Sequence, residues 1–153
     1  MIPNGYRTYH TTFLLTEKIE DMFWEVKRIM KKIMIVDDKP DLVFSIKCGL
    51  EDFSEEYEVI GAESGQECFY LLNKGQIPDL ILLDIMMPEM NGWDVFTKLK
   101  ENLEWSGIPV VFLTAKTDPY SRGFGKMVST DYIEKPCNIK NLEERIDKIL
   151  KKQ

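Results

Sequence analysis

Histidine is nearly absent from this 153-residue chain, with His10 alone, and the three cysteines, Cys48, Cys68 and Cys137, are odd in number, widely spaced and never paired as Cys-x-x-Cys. A zinc site or a disulfide framework has too few ligands to draw on. The thiols read as reduced, packed side chains of a cytoplasmic protein. No apolar run reaches the ~20 residues of a membrane span. The short Thr11 to Leu15 run is followed by acids and has no small-residue cleavage site, so a secretory signal is not expected either. Positive charge is also scarce, with 20 Lys and Arg against 26 Asp and Glu and a net charge of -6. The first 32 residues hold six basic and four acidic side chains, which leaves fourteen basic and twenty-two acidic, net -8, for the remainder. A body that acidic repels phosphate backbones and anionic membranes, so direct nucleic-acid or membrane binding is disfavoured.

What is present is the material of a folded domain. The apolar fraction is 44% and the charged fraction 30%, close to globular averages, and the length suits one hydrophobic core. From residue 33 onward short apolar runs alternate with segments of helical period. Ile33–Val36, Glu58–Gly61, Leu80–Leu83, Val110–Leu113 and Asp131–Glu134 are strand candidates, most of them apolar on consecutive positions and hence buried on both faces. Between and after them lie helix candidates at about 40–53, 65–74, 92–101, 118–127 and 138–151. Such alternation predicts an α/β fold with a parallel sheet covered by helices on both sides.

Local signals mark the helix ends. Ser64, Gly65, Gln66 and Glu67 read as a capping box, and Asn138 can cap the last helix, where Ile139, Leu142, Ile146, Ile149 and Leu150 share one face. The 118–127 candidate is the weakest, since Gly123 and Gly125 fall inside it and each costs ~1 kcal/mol relative to alanine. Ahead of the alternation, Ile19, Met22, Phe23, Val26, Ile29, Met30 and Ile33 recur at helical spacing. This divides the chain into an N-terminal extension, 1–31, with an amphipathic helix over about 17–31, and a domain over 32–153. The apolar face predicts self-association or docking; a natural translation start at Met30 would instead leave the extension without a role.

In parallel α/β sheets the functional crevice lies beyond the carboxyl ends of the strands. Asp37 and Asp38 follow the first apolar run, Asp84 the third and Thr114 the fourth, and Lys135 ends the fifth. Three carboxylates so placed repel one another, a pair ~4 Å apart by ~4 kcal/mol at an effective dielectric near 20. Lys135 supplies one compensating charge and a hard divalent cation the rest. Oxygen ligands favour Mg²⁺, which keeps coordination positions for phosphate oxygens. The pattern predicts a phosphoryl site. Read alone, the Leu80–Asp84 run would also suit a nucleotide hydrolase, but no Gly-x-x-x-x-Gly-Lys-[Ser/Thr] loop exists. A haloacid-dehalogenase-type phosphatase needs a second Asp where Met86 stands. His10 as a phosphorylated histidine would need a helical bundle that 32 residues cannot build.

The ordered set Ile33–Pro40, Leu80–Gly92, Val111–Lys116 and Asp131–Pro136, with 46 residues from Asp38 to Asp84, 30 more to Thr114 and 21 more to Lys135, resembles the receiver domain of two-component response regulators, the CheY-like family. The resemblance covers about Lys32 to the C-terminus. It implies a flavodoxin-like doubly wound sheet of order 2-1-3-4-5 and a cis peptide before Pro136 that aims Lys135. It also implies roles. Asp84 would be the phosphoacceptor, attacking a phosphohistidine of a sensor histidine kinase or a histidine phosphotransfer protein. Asp37, Asp38, Asp84 and the Met86 backbone carbonyl would hold Mg²⁺. Lys135 would neutralise phosphoryl oxygens, Thr114 would donate its hydroxyl to them, and Tyr132 would turn inward as Thr114 moves. A stand-alone switch acting on a downstream target protein is the function implied. A phosphotransfer intermediate or phosphate sink is the alternative, and a phosphorylation-independent adaptor a third. A homodimer through the N-terminal helix, or through the face of the fourth helix, fifth strand and fifth helix, is a further expectation. Cys137 departs from the pattern, standing where an aromatic often follows Lys-Pro.

Overall fold

Runs of consecutive apolar residues become strands whose two faces are both covered, as the three central strands of a five-stranded sheet do here. A computed structural model describes residues 15–23, 25, 30–115 and 131–152. Its strands are β1 (Lys31–Val36), β2 (Tyr57–Ala62), β3 (Leu80–Asp84), β4 (Val110–Ala115) and β5 (Asp131–Lys135). Its described helices within this alternation are α1 (Pro40–Phe53), α2 (Gly65–Asn73), α3 (Gly92–Glu101) and α4 (Ile139–Leu150). All neighbouring strands are parallel, in the order β2-β1-β3-β4-β5, the flavodoxin-like arrangement that the resemblance implied. The 118–127 helix candidate lies outside the described residues.

The period-2 alternation of strand side chains builds two cores. Met34, Val36, Ile81, Leu83 and Phe112 meet Cys68 and Leu72 of α2 and Val95 and Leu99 of α3. Ile33, Ile35, Leu80, Leu82 and Val111 meet Val43, Ile46 and Leu50 of α1 and Leu142 and Ile146 of α4. Each such aliphatic side chain contributes ~1.5–3 kcal/mol on burial. Because β1, β3 and β4 occupy the middle of the sheet, their carboxyl ends point into one protected rim. The edges are closed by helix side chains. On β2 the Val59 N–H donates to Glu51 Oε1 at 3.0 Å and Lys47 Nζ donates to the Val59 carbonyl at 2.7 Å; on β5 Arg145 Nη1 donates to the Tyr132 carbonyl at 2.9 Å.

Three sequence expectations change in detail. Lys31, assigned to the N-terminal helix by periodicity, is the first residue of β1, and Ile33 is fully buried there; pairing with Tyr57 to Val59 outweighs a helical pattern of weak propensity. The chain divides into two units, 1–30 and 31–153. In the first, residues 15–23 and 25 are helical and Leu15, Ile19, Met22 and Phe23 are exposed, while Val26 and Ile29 of the expected apolar face lie outside the described residues. At α2, Ser64 Oγ accepts from the Glu67 N–H at 3.1 Å, but the Glu67 carboxylate reaches past Ser64 to the Glu63 N–H at 2.7 Å. A complete capping box forms instead at α3, between Asn91 and Asp94.

At the rim opposite the carboxyl ends, one carboxylate ties three elements together. Asp147 of α4 accepts from Lys151 Nζ at 2.8 Å, from the Tyr57 hydroxyl at 2.6 Å and from Lys31 Nζ at 3.1 Å. The hydrogen bonds from Lys151 and Tyr57, then from Lys31, hold its carboxyl well below the usual carboxylate range, although partial burial opposes them. A depressed native pKa stabilises the fold above the unfolded-state value, and that contribution is lost as pH falls. Asp147→Asn is therefore expected to unfold about 1–2 kcal/mol more easily at pH 7. The gap to wild type should close below pH ~4, as the unfolded carboxyl takes up its proton near ~3.9. Urea titrations at pH 7, 4 and 2.5 measure this, and a gap independent of pH would contradict it.

Candidate phosphoryl and metal site

The carboxyl ends of β1, β3, β4 and β5 deliver the polar groups to one place. Asp37 and Asp38 follow Val36 directly, Asp84 is the last residue of β3, Thr114 lies next to last in β4, and Lys135 closes β5. Asp37 is fully buried, and Asp84 and Thr114 nearly so. Carboxylate oxygens of Asp37, Asp38 and Asp84 lie within 4.8 Å of one another. Lys135 Nζ, beyond which the chain turns through the cis bond to Pro136, donates to Asp84 Oδ1 at 2.8 Å and also to Asp37 Oδ2. The second Asp37 oxygen accepts from the Lys39 N–H at 3.0 Å. Thr114 lies one step beyond Leu113, which is in register with Asp84. Met86 follows two residues after Asp84 with its side chain exposed.

The electrostatics of this rim follow from burial. Desolvation raises the pKa of Asp84, and the hydrogen bond and charge of Lys135 only partly offset it. Burial by itself would lower the pKa of Lys135, but its hydrogen bonds to Asp37 and Asp84 reverse that and raise it. Asp38 Oδ1 and Asp84 Oδ2 are buried acceptors with no hydrogen-bond partner. Leaving such an acceptor unmet costs ~1–3 kcal/mol, more for a charged group. One lysine also cannot balance three carboxylates. An all-oxygen donor set with two orphaned lone-pair sources fits a hard divalent cation such as Mg²⁺. Within that set the uncommitted oxygens belong to Asp38 and Asp84, whereas both Asp37 oxygens already accept hydrogen bonds. The cysteines stay outside this chemistry: burial pushes Cys68 up to about 12 and also raises Cys137.

Residues 33–147 match the family model of the response regulator receiver domain. The chain belongs to this family. It is a receiver domain of two-component signalling. Protein PilH of Pseudomonas aeruginosa is 33% identical over 122 residues, covering 79% of this chain and 98% of PilH. The Vibrio cholerae protein named Probable cyclic di-GMP phosphodiesterase is 39% identical over 115 residues, 74% of this chain but only 25% of that protein. The solved structure of Vibrio cholerae chemotaxis protein CheY4 superposes with a TM-score of 0.70 at 28% identity, over 78% of this chain and 98% of that one.

Two positions that shape the receiver's pocket carry no charge and were given no role from sequence. A Cβ on Gly92 would lie 2.3 Å from the Asp84 carbonyl oxygen, so only glycine lets α3 start directly over the end of β3. Asn91, just before it, accepts from the N–H groups of Trp93 at 2.9 Å and Asp94 at 3.0 Å, a cap that stabilises by ~1 kcal/mol. The signal available was the Asn-Gly pair itself, read as a helix start rather than as a turn. Glu89, in the same connection, has φ 62°, a left-handed conformation uncommon outside glycine, asparagine and aspartate.

Asp38→Asn removes one of the crowded charges without breaking a hydrogen bond to Lys135. Without divalent cations the variant is expected to be more stable than wild type by about 1–3 kcal/mol, the scale of one like-charge contact. Added Mg²⁺ should stabilise wild type, by ~2.7 kcal/mol at a hundredfold excess over Kd, and leave the variant nearly unmoved. Thermal unfolding with and without Mg²⁺ checks both signs.

Proposed function

We propose that this receiver accepts a phosphoryl group on Asp84 from the phosphohistidine of a sensor histidine kinase or a histidine phosphotransfer protein, and signals to a downstream protein through an altered surface. The observation that carries this reading is the split environment of the Asp84 carboxylate. Lys135 holds Oδ1 at 2.8 Å, while Oδ2 is buried without a hydrogen-bond partner. The free oxygen attacks phosphorus as the P–N bond to the donor imidazole breaks. The bonding pair leaves with the imidazole nitrogen, which then takes a proton from solvent, and Asp84 becomes an acyl phosphate.

The protein's own contribution is positioning and charge neutralisation, because phosphoryl transfer passes through a loose transition state. Lys135 stays within reach of the equatorial phosphoryl oxygens and stabilises the charge spread over them. The Thr114 hydroxyl, at the adjoining end of β4, donates to one of those oxygens. Asp38, Asp84 and the Met86 carbonyl, with Asp37 beside them, would hold Mg²⁺, which when bound supplies a counter-charge to the phosphoryl oxygens. The new group adds about -1.5 to -2 charge, enough to bias a loop between two arrangements. Thr114 and Tyr132 are the residues through which that bias leaves the pocket. A kinase donor of this kind places the receiver in the cytoplasm.

Incubation with acetyl phosphate and Mg²⁺, followed by intact-protein mass measurement, is expected to show one added phosphoryl group in wild type, none in Asp84→Asn, and strongly slowed labelling in Lys135→Ala. One charge-stabilising donor is worth ~10²–10³ in rate. Labelling that persists in Asp84→Asn would move the acceptor elsewhere and overturn the assignment.

A further inference from the structure

Three aromatic rings form a triangle beside the pocket. Trp93 lies 4.6 Å from Phe112, Phe112 lies 5.3 Å from Tyr132 with planes 27° apart, and Trp93 lies 6.5 Å from Tyr132. Phe112 is the fixed corner. It is fully buried, is flanked on a further side by Phe96 at 5.5 Å, and stands in register with Tyr132 across the β4–β5 pair. It also precedes Thr114 by two residues, so both side chains project from the same face of β4. A ring so enclosed cannot relax toward solvent, and any change in the pose of Tyr132 alters the space left for Trp93.

At its other end Trp93 is tied to the phosphoacceptor. It follows Gly92, whose N–H donates to the Ile85 carbonyl at 2.9 Å and whose missing Cβ allows contact with the Asp84 backbone. Its own N–H donates to Asn91 Oδ1. Trp93 and Asn91 line a cavity of about 600 Å³ with Ile85, Met86 and Met87, the residues that immediately follow Asp84. The indole Nε1 is buried with no hydrogen-bond partner. A donor left unmet in one arrangement favours any other arrangement that supplies an acceptor.

We propose that Trp93 is a positioning residue that relays occupancy of the Asp84 pocket to Tyr132: movement of the segment after Asp84 shifts the first turn of α3, and the indole transmits that shift through Phe112. The relay rests on the reading of Asp84 as phosphoacceptor. It differs from a purely structural role because the two ends of the triangle must respond together.

Tryptophan emission of the full chain tests it, with Mg²⁺ and beryllium fluoride as a stable phosphoryl mimic and acetyl phosphate labelling followed by mass in every variant. Wild type and Trp24→Phe are expected to change emission when the mimic binds, and Trp93→Phe to lose the change while still becoming labelled. Tyr132→Ala should lose the change and Tyr132→Phe, which keeps the ring, should retain it, again with labelling intact. An emission change that persists in Trp93→Phe or in Tyr132→Ala overturns the relay. So does labelled wild type with unmoved emission, or a Trp93→Phe protein that folds but cannot be labelled, since Trp93 would then belong to the pocket itself. Absence of labelling in wild type overturns the phosphoacceptor reading and the relay with it.

Discussion

Two buried carboxylates at the ends of neighbouring strands share one lysine, and the arrangement of the rim depends on that bridge. Asp37 and Asp84 come from β1 and β3, which are hydrogen-bonded neighbours, while Lys135 arrives from β5, two strands away from β3. Removing Lys135 would leave the buried carboxylates without their one cation, a loss of ~3–5 kcal/mol. Together with the Lys39 N–H the bridge satisfies Asp37 fully, but it satisfies Asp84 only by half. That imbalance is what the proposed transfer uses, since a carboxylate with both oxygens committed has none to offer phosphorus.

The pocket has a floor of buried strands and a wall of irregular backbone. The floor is β1, β3 and β4, whose apolar residues are almost wholly excluded from water. The wall is the connection from Ile85 to Asn91, which contains a residue at φ 62° and the exposed Met86. The first turn of α3 joins the two, resting on the Asp84 backbone through Gly92. A receiver needs both properties: transfer asks for groups already in place, while signalling asks for a segment with more than one arrangement.

The opposite rim shows what the same residue types do without that asymmetry. Asp147 carries three donors, from the residue capping α4, from β2 and from β1, and has no uncommitted oxygen among its described contacts. It fastens strand starts to the last helix. A carboxylate near a lysine is thus fully committed at one end of the sheet and half committed at the other, and the difference lies in how many of its lone pairs are already met.

Much of this was written in the residue order. Strands buried on both faces appear as consecutive apolar runs, so their places were legible, and because Asp37, Asp84, Thr114 and Lys135 each stand at a strand end, parallel topology brings them to one rim. The same periodicity misassigned Lys31, since a short segment that fits both periods is settled by its strand partner, Tyr57. Which carboxylate oxygens remain uncommitted, where the Glu67 side chain reaches, and the triangle of Trp93, Phe112 and Tyr132 were decided only by tertiary structure. Those are contacts between residues 19 to 98 positions apart, or choices among nearby donors, and distance along the chain carries no record of either.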